Sequence, residues 1–369
     1  MSNSRPQNPL IIGAGAAGLA TAYYLQKRRV PFRILESRDP GSSWARYYDH
    51  LRLHTRKSTI SLPGFAMPES VPAFPSGKQY YAYLQQYAEH FGFPIEKGVE
   101  VRRAAFEQGW RLETSRGTFE TDTLIVATGI YGKPKRPYFA GEEDFKGEIV
   151  HSQQYEAPEA FLGRRVLVVG AGNTGAGIAV ALAGTGIETG IVVRSGIQMV
   201  PCPPNSWSTK LLAWGSRTLP DFLTNAVLSS VRKDFTDIGL PTPDRPPNQI
   251  FPVVGFDLAE KVKAGKVRPH PGIARLAEQT VTFNDGSEEE YDILILATGY
   301  KPTLDFLAEI TLDEKGRVRR APPGLYTIGF HYPATEPFLL AVQREAERVA
   351  EKVARGVSSP HPTPREVLA

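Results

Sequence analysis

The stretch Leu10–Glu36, LIIGAGAAGLATAYYLQKRRVPFRILE, predicts how the chain folds. A short apolar run leads into the glycine-rich turn Gly13–Gly18, followed by a helical pattern and a second apolar run that ends at Glu36. In this strand–turn–helix–strand pattern the glycines let a dinucleotide pyrophosphate approach the helix amides. Glu36 stands 23 positions after Gly13, where a carboxylate can accept hydrogen bonds from ribose hydroxyls. Because a carboxylate repels a 2′-phosphate, the pattern favours FAD or NAD over NADP.

A second stretch of the same form begins at Arg165. The apolar run Arg165–Val169 enters the glycine-rich turn Gly170–Gly175, GAGNTG, and a helical pattern and another apolar run follow. Arg194, 24 positions after Gly170, takes the place that Glu36 has in the first stretch. A guanidinium there can bind a 2′-phosphate through two parallel hydrogen bonds, so this turn suits NADPH. The alternative is that Arg194 is a solvated surface residue.

The sequence FKGEIVHSQQY, Phe145–Tyr155, lies between the two turns and reads Phe-x-Gly-x-x-x-His-x-x-x-Tyr. We expect it to connect the two nucleotide-binding regions so that their ligands meet. We interpret His151 as a residue that bonds backbone at the domain junction, not as an acid or a base. Two apolar runs end in small-residue turns, ATG at Ala127–Gly129 and ATGY at Ala297–Tyr300, where backbone can approach a ligand.

Two segments point to a substrate pocket less directly. Gly41–Ser58 is dense in aromatic, histidine and arginine side chains, so it either wraps a flat heteroaromatic ring or forms a surface loop. The region Gln198–Val254 is rich in proline and contains a helical apolar pattern within Leu219–Phe235. That helix could cap a substrate channel, lie on a membrane surface or pack peripherally on the core. We expect parts of 41–65 and 200–240 to line the pocket.

Composition excludes several functions. A chain of 369 residues is long enough for two domains, and its net charge of +4 is too small to indicate nucleic acid binding. The single cysteine, Cys202, rules out a disulfide framework and a CxxC redox pair, and no metal-ligand spacing is apparent. The sequence contains no run of about 18 consecutive apolar residues, so no membrane span is expected. We expect a cytoplasmic protein that binds a small molecule and no metal; a homodimer is left open.

Together these features resemble the class B flavin-dependent monooxygenases, in particular the short bacterial members and the plant indole-3-pyruvate monooxygenases. The features that carry the resemblance are both glycine-rich turns, Glu36, Trp44, Arg194, FKGEIVHSQQY, the ATG and ATGY turns and YYDHLRLHTRKSTISLPG at 47–64. The central motif ends in Tyr155 followed by Glu156, which is closer to the branch that oxygenates nitrogen and sulfur.

The resemblance implies an α/β fold with two Rossmann-like dinucleotide-binding domains, as in glutathione-reductase-like flavoproteins. An FAD-binding domain would comprise 1–155 and 285–369, with an NADPH-binding domain, 156–284, inserted in it. NADPH would reduce FAD, O2 would add to give a C4a-hydroperoxyflavin, and one oxygen atom would pass to a small sulfur or nitrogen nucleophile. The predicted cofactor-binding residues are Gly13, Gly15, Ala16, Ala17, Gly18, Glu36, Ser43, Trp44, His54, Thr55, Val101, Ala127, Thr128, Gly129, Gly170, Gly172, Asn173, Thr174, Gly175, Arg194, Ser195, Ala297, Thr298 and Gly299.

Three residues depart from the family pattern. Ser42 replaces the second glycine of a G-G-x-W motif, and Gly177 stands where many relatives have an acid. His54 aligns with an asparagine that many members place near the flavin. His54 is therefore the predicted catalytic residue, donating a hydrogen bond to the peroxide or the nicotinamide amide; the alternative is a spacer beside the ring.

Other functions remain open at this point. The chain could be an NADPH oxidase or reductase that releases hydrogen peroxide, or a monooxygenase that decarboxylates a 2-oxo acid. It could also be a flavin-bearing redox sensor without turnover.

Overall fold

A computed structural model describes residues 8–48, 50–201, 220–230, 232–308, 310–312, 318–330 and 336–356. Its α-helices are α1 (Ala16–Lys27), α2 (Lys57–Ile60), α3 (Gly77–Phe91), α4 (Asn173–Gly184), α5 (Asp221–Ser230), α6 (Asp257–Lys263) and α7 (Phe338–Ala354). Short 3-10 helices span Ser42–Arg46, Glu142–Asp144, Pro158–Phe161, Thr236–Ile238 and Pro247–Gln249.

The described strands are β1 (Leu10–Ile12), β2 (Arg33–Glu36), β3 (Ile95–Lys97), β4 (Val101–Phe106), β5 (Trp110–Thr114), β6 (Gly117–Thr121), β7 (Leu124–Val126), β8 (Lys133–Pro134), β9 (Glu148–His151), β10 (Arg165–Val169), β11 (Glu188–Val192), β12 (Met199–Val200), β13 (Val253–Val254), β14 (Val267–His270), β15 (Ile273–Ala277), β16 (Thr280–Phe283), β17 (Glu288–Glu290), β18 (Ile293–Leu296), β19 (Tyr300–Lys301), β20 (Thr311–Leu312), β21 (Val318–Arg320) and β22 (Leu325–Thr327). The chain is thus an α/β protein.

The chain divides into two compact units, and the first comprises 1–46, 55–133 and 300–369. Its main sheet has five parallel strands in the order β22-β7-β1-β2-β3. The central strands β1 and β7 are buried along their whole length, as expected for parallel strands covered on both faces. Helix α1 presents small buried residues and packs against α7. Strands β4, β5 and β6 form a separate antiparallel sheet.

The second unit comprises 47–54 and 134–299. Five parallel strands form its main sheet in the order β14-β11-β10-β18-β9. Helix α4 connects β10 to β11 and buries Ile178, Ala179 and Leu182 in the core. An antiparallel sheet, β15-β16-β17, and a two-stranded parallel pair, β12-β13, complete the unit.

The boundaries of these units differ from the predicted domain boundaries. The predictions placed 134–155 and 285–299 in the first domain, but β9 and β18 pair with each other in the second unit's sheet. Residues 47–54 also belong to the second unit. Strand pairing and packing between segments far apart in sequence decide these memberships, and local patterns do not reveal them.

The predicted elements agree with the observed ones most closely around the two turns. The sequence patterns predict strands at Leu10–Ile12 and Arg165–Val169 and helices at Leu19–Lys27 and Ala176–Ala183. Strands β1 and β10 have these bounds, whereas α1 and α4 each begin three residues earlier because the turn residues are already helical. Strand β5 was not predicted. Within the predicted helix Leu219–Phe235, helix is described over Asp221–Ser230, and Cys202 lies outside the described residues. Among the described helices, none has the length and apolar character needed to cross a bilayer.

Candidate functional site

The first glycine-rich turn, Gly13–Gly18, joins β1 to α1 in the first unit. Gly13 has φ +101°, and a Cβ there would lie 2.7 Å from the Ala127 carbonyl oxygen. A Cβ on Gly18 would lie 1.9 Å from the Gly13 oxygen, so glycine is required where the helix meets the strand. At Gly15 a Cβ would meet nothing within 4 Å, which leaves open space above the first turn of α1.

Glu36 is the last residue of β2 and lies beside this turn. Its buried carboxylate accepts hydrogen bonds from the Ala14 N–H (2.7 Å) and the Arg38 N–H (2.9 Å). The Ser37 hydroxyl also donates to Oε1 (3.3 Å), the oxygen that Arg38 contacts, so Oε2, which accepts from Ala14, keeps acceptor capacity for another donor. Glu36 is thus held at the carboxyl edge of the sheet with acceptor sites to spare, as the sequence predicted.

The ATG turn at Ala127–Gly129 follows β7, the neighbour of β1. The Ala127 N–H donates to the Ile12 carbonyl (2.9 Å), which fixes this turn next to Gly13. The Thr128 hydroxyl is buried and has no hydrogen-bond partner in the structure. A buried unpaired hydroxyl beside an open turn is the feature expected where a polar ligand supplies the missing partner. These residues therefore fit a bound dinucleotide.

Ser43 and Trp44 come near the first turn through the backbone of Gly41. The Gly41 N–H donates to the Ala14 carbonyl (2.9 Å), and the 3-10 helix Ser42–Arg46 begins directly after it. Trp44 packs edge-on against Tyr80 of α3, with ring centroids 4.8 Å apart, while Ser43 is exposed. Val101 is the half-buried first residue of β4 and packs on the core of the first unit.

The second turn, Gly170–Gly175, repeats this geometry in the second unit. Gly170 has φ +111°, and its Cβ would lie 2.7 Å from the Ala297 carbonyl oxygen. A Cβ on Gly175 would lie 1.8 Å from the Gly170 oxygen, whereas Gly172 again has open space within 4 Å. Gly15 and Gly172 are the N-caps of α1 and α4, and neither helix has a side-chain cap. The first amides of both helices are therefore available to an anion.

Arg194 lies just past the carboxyl end of β11. The Val193 N–H donates to the His270 carbonyl (2.8 Å), which holds this segment along β14. The Arg194 side chain is exposed and makes no ion pair within the part of the chain that the structure describes. Its stem passes Gly272, where a Cβ would lie 3.5 Å from Arg194 Cγ. Arg194 and the neighbouring exposed Ser195 are thus available to a ligand at this edge of the sheet.

Asn173, a predicted cofactor-binding residue, has its side chain committed to protein. Its Nδ2 donates to the Pro252 carbonyl (2.9 Å), and its Oδ1 accepts from the Val254 N–H (3.0 Å). The side chain therefore fastens β13 to the second turn. The sequence offered no local signal for this role, because the partners are about 80 positions away. Thr174, the next residue, is half-buried.

The second small-residue turn, Ala297–Gly299, follows β18 and is tied down on two sides. The Thr298 hydroxyl donates to the Lys135 carbonyl. The His151 Nε2 contacts the Gly299 carbonyl (3.2 Å), and its Nδ1 accepts from the Gln153 N–H (3.1 Å), so His151 bonds backbone as predicted. Burial lowers the pKa of His151, an effect that the Gly299 bond opposes, and the neutral ring with hydrogen on Nε2 satisfies both contacts.

His54, the predicted catalytic residue, is exposed and forms no hydrogen bond with the described residues. Desolvation by the surrounding protein lowers the pKa of its ring, and nearby Asp257 opposes the shift. His54 belongs to the second compact unit, whereas the next residue, Thr55, belongs to the first. Nothing in these contacts tests a catalytic role for His54.

The segment 47–54 packs on α4 beside Gly177, one of the residues that depart from the family pattern. Tyr48 is buried in the second unit's core, edge-on to Tyr155 with ring centroids 5.6 Å apart. A Cβ on Gly177 would lie 3.4 Å from the Tyr48 hydroxyl, which is an ordinary van der Waals contact. A shallow surface groove of about 520 Å³ borders this packing and is lined in part by His50, Glu159 and Gly177.

Comparison with known proteins places this geometry among redox flavoproteins. Residues 10–214, more than half of the chain, match the pyridine nucleotide-disulphide oxidoreductase family. Indole-3-pyruvate monooxygenase YUCCA1 of Oryza sativa subsp. japonica is 32% identical over 374 residues, covering 93% of this chain and 90% of that protein.

Two solved structures have closely similar folds. The flavin-containing monooxygenase from Stenotrophomonas maltophilia superposes with a TM-score of 0.73 at 25% identity, covering 95% of this chain and 98% of that one. The bacillithiol disulfide reductase Bdr from Bacillus cereus superposes with a TM-score of 0.72 at 19% identity, covering 96% and 100%. The second likeness concerns the fold alone.

Proposed function

This chain belongs to the class B flavin-dependent monooxygenase family, and from that premise we propose that it binds FAD at the first turn and NADPH at the second and oxygenates a small sulfur or nitrogen nucleophile. One observation carries the choice of cofactors. The two turns have matching geometry, but the residue at the end of the strand that follows each helix differs in charge. It is a buried carboxylate, Glu36, in the first unit and an exposed guanidinium, Arg194, in the second.

The first turn suits FAD because its polar groups match a dinucleotide without a 2′-phosphate. Glu36 would accept hydrogen bonds from the adenosine ribose, and the amides at the start of α1 would face the pyrophosphate across the open space at Gly15. The unpaired Thr128 hydroxyl would gain a partner when the site is filled. A 2′-phosphate would lie against the Glu36 carboxylate, so NADP is disfavoured here.

The second turn suits NADPH because the Arg194 guanidinium is exposed and makes no ion pair with any described residue. Its guanidinium would bind the 2′-phosphate, with the Ser195 hydroxyl beside it, while the amides at the start of α4 would face the pyrophosphate. When the cofactors are bound, the nicotinamide supplies hydride to the flavin, and the reduced flavin supplies the electrons that activate O2. The chain itself would hold both cofactors in position for this transfer.

A second candidate substrate class is a 2-oxo acid that loses carbon dioxide on oxygenation. It is favoured by the names of the relatives that are 32% identical over most of the chain, which are indole-3-pyruvate monooxygenases. The ending of the central motif, Tyr155-Glu156, instead supports a sulfur or nitrogen nucleophile. An NADPH oxidase that releases hydrogen peroxide is the third alternative. We further propose a cytoplasmic location; a homodimer stays an untested option.

The deciding experiment follows the fate of oxygen. Flavin-loaded protein is given NADPH and O2 with a thioether, a tertiary amine or an aromatic 2-oxo acid, and NADPH consumed, peroxide released and oxygenated product are quantified. The proposal expects product nearly equal to NADPH with the thioether or the amine. Product and carbon dioxide only from the 2-oxo acid would select the second candidate. Peroxide equal to NADPH with all three substrates would identify an oxidase, and NADPH consumption no faster than with free flavin would point to a sensor.

A further inference from the structure

A small parallel pair of strands lies against the second turn. In this pair the Val253 N–H donates to the Gln198 carbonyl (2.8 Å) and the Gly255 N–H donates to the Val200 carbonyl (2.8 Å). The Val254 N–H, on the same strand, donates to the Asn173 side chain. Gln198 and Asn173 therefore flank one two-residue strand, so a single strand separates Gln198 from the residue that begins α4.

Gln198 is buried, and its side-chain oxygen makes no hydrogen bond to the described residues. The residue is 6% exposed. Its neighbours Ile197 and Met199 belong to the hydrophobic core of the second unit. Leaving a buried amide oxygen unpaired destabilises the folded protein. A methionine of similar volume would avoid this cost, so packing alone does not account for glutamine here.

We propose that the Gln198 side chain accepts a hydrogen bond from the dinucleotide bound at the second turn, from an N–H or O–H group that NADPH and NADH share. This inference rests on the proposed nicotinamide site. Gln198 and Arg194 then have different roles. Arg194 is proposed to bind the 2′-phosphate, which only NADPH carries, whereas Gln198 binds a group that is present in both dinucleotides. Asn173 takes part indirectly, as a positioning residue that fixes the strand pair to the turn.

The test is Gln198→Met, with binding and stability measured separately. Isothermal titration of NADP+ and of NAD+ into flavin-loaded protein gives the two dissociation constants, and thermal unfolding of cofactor-free protein gives Tm. We expect both dissociation constants to rise about tenfold, which corresponds to the loss of one hydrogen bond of about 1.4 kcal/mol. The Tm should stay unchanged or rise, because the replacement removes an unpaired buried polar atom.

Two controls make the result specific. Gln249→Met makes the same chemical change at an exposed glutamine of the same region and should leave both constants unchanged. Arg194→Ala should weaken NADP+ and spare NAD+. Unchanged dissociation constants in Gln198→Met would overturn the inference, and so would weaker binding accompanied by a lower Tm, which indicates a structural role. If the unmodified protein binds neither dinucleotide, the proposed function itself fails, and that outcome is recognisable without any variant.

Discussion

The first and second glycine-rich turns have the same backbone but different surroundings. Gly13 and Gly170 have φ of +101° and +111°, and the added-Cβ distances to the neighbouring carbonyl oxygens are 2.7 Å in both cases. Glu36, however, is buried and bonded to two amides, whereas Arg194 is exposed without an ion pair among the described residues. The glycine spacing thus specifies the shape of a turn, and the residue ending the second strand distinguishes the ligands we propose.

The two ATG turns differ in a less obvious way. The Thr128 hydroxyl beside the first turn is buried without a partner, but the Thr298 hydroxyl beside the second donates to the Lys135 carbonyl. Identical sequence letters therefore have different tasks: Thr128 is available to a ligand, and Thr298 stabilises the protein.

The largest expected effect comes from removing the close approach that both turns share. In Gly18→Ala and Gly175→Ala the new Cβ would lie 1.9 Å and 1.8 Å from a backbone oxygen that cannot move without displacing the strand. We expect each to lower the free energy of unfolding by roughly 3 kcal/mol or more. Urea unfolding of cofactor-free protein measures this. The matched controls Gly15→Ala and Gly172→Ala, which meet nothing within 4 Å, should change stability far less; equal losses at all four positions would show that the close approach is not the cause.

The shared geometry was predictable from sequence because it depends on residues close together in the chain. Each turn, its helix and its flanking strands lie within about 30 positions, and Glu36 and Arg194 were placed correctly by counting. The role of the Asn173 side chain was not predictable, because its partners Pro252 and Val254 come from an irregular proline-rich region. The membership of 47–54 in the second unit was not predictable either, because Tyr48 packs against Tyr155, which is far away in the sequence.

Arg194→Ala tests the charge difference between the turns. Without the guanidinium, the 2′-phosphate loses charge-assisted hydrogen bonds, so we expect the KM for NADPH to rise roughly 10- to 100-fold. The KM for NADH should change less than about twofold. Steady-state kinetics with both dinucleotides measure the two values. A similar rise with both would contradict the assignment of Arg194 to the phosphate, and Arg194→Lys should give an intermediate rise with NADPH alone.

Thr128 and Thr298 allow a second comparison of the two turns, with smaller expected effects than those at Arg194. Thr298→Val removes a hydrogen bond and should lower the free energy of unfolding by about 1 kcal/mol. Thr128→Val should leave cofactor-free protein as stable as before, or more so, and weaken flavin binding by a similar free energy. Unfolding and flavin titration of both variants measure these changes. The reverse pattern would mean that the two hydroxyls have been assigned the wrong tasks.

The smallest expected effect is a change of stability with pH that comes from His151, which bonds the small-residue turn beside the second glycine-rich turn. The native pKa of His151 is lowered below the usual 6.5, so the unfolded chain takes up a proton first as pH falls. The contribution of His151 is therefore complete above about pH 6.5 and is lost as pH falls towards its native pKa. We expect the stability difference between the unmodified protein and His151→Gln to shrink between pH 7.5 and pH 6.0, by less than the limit of about 1.4 kcal/mol per pH unit that applies to one proton.

Denaturant unfolding of both proteins at each pH checks this. Burial raises the pKa of Glu345 to about 7, so its titration changes stability with pH in the opposite direction. Both proteins contain Glu345, so its contribution cancels in the difference between them. A difference that stays constant or widens as pH falls would show that His151 is not held neutral.

The most direct test of the two-site account is the occupancy of each cofactor in Gly15→Val and Gly172→Val. Both positions face open space in the protein alone, so both variants should fold normally and lose only the ligand that lies there. Flavin absorbance and titration with NADP+ should show that Gly15→Val loses flavin and keeps NADP+ binding, and that Gly172→Val does the opposite. Folded variants that both lose the same cofactor, or that both keep the two, would contradict the assignment of FAD to the first turn and NADPH to the second.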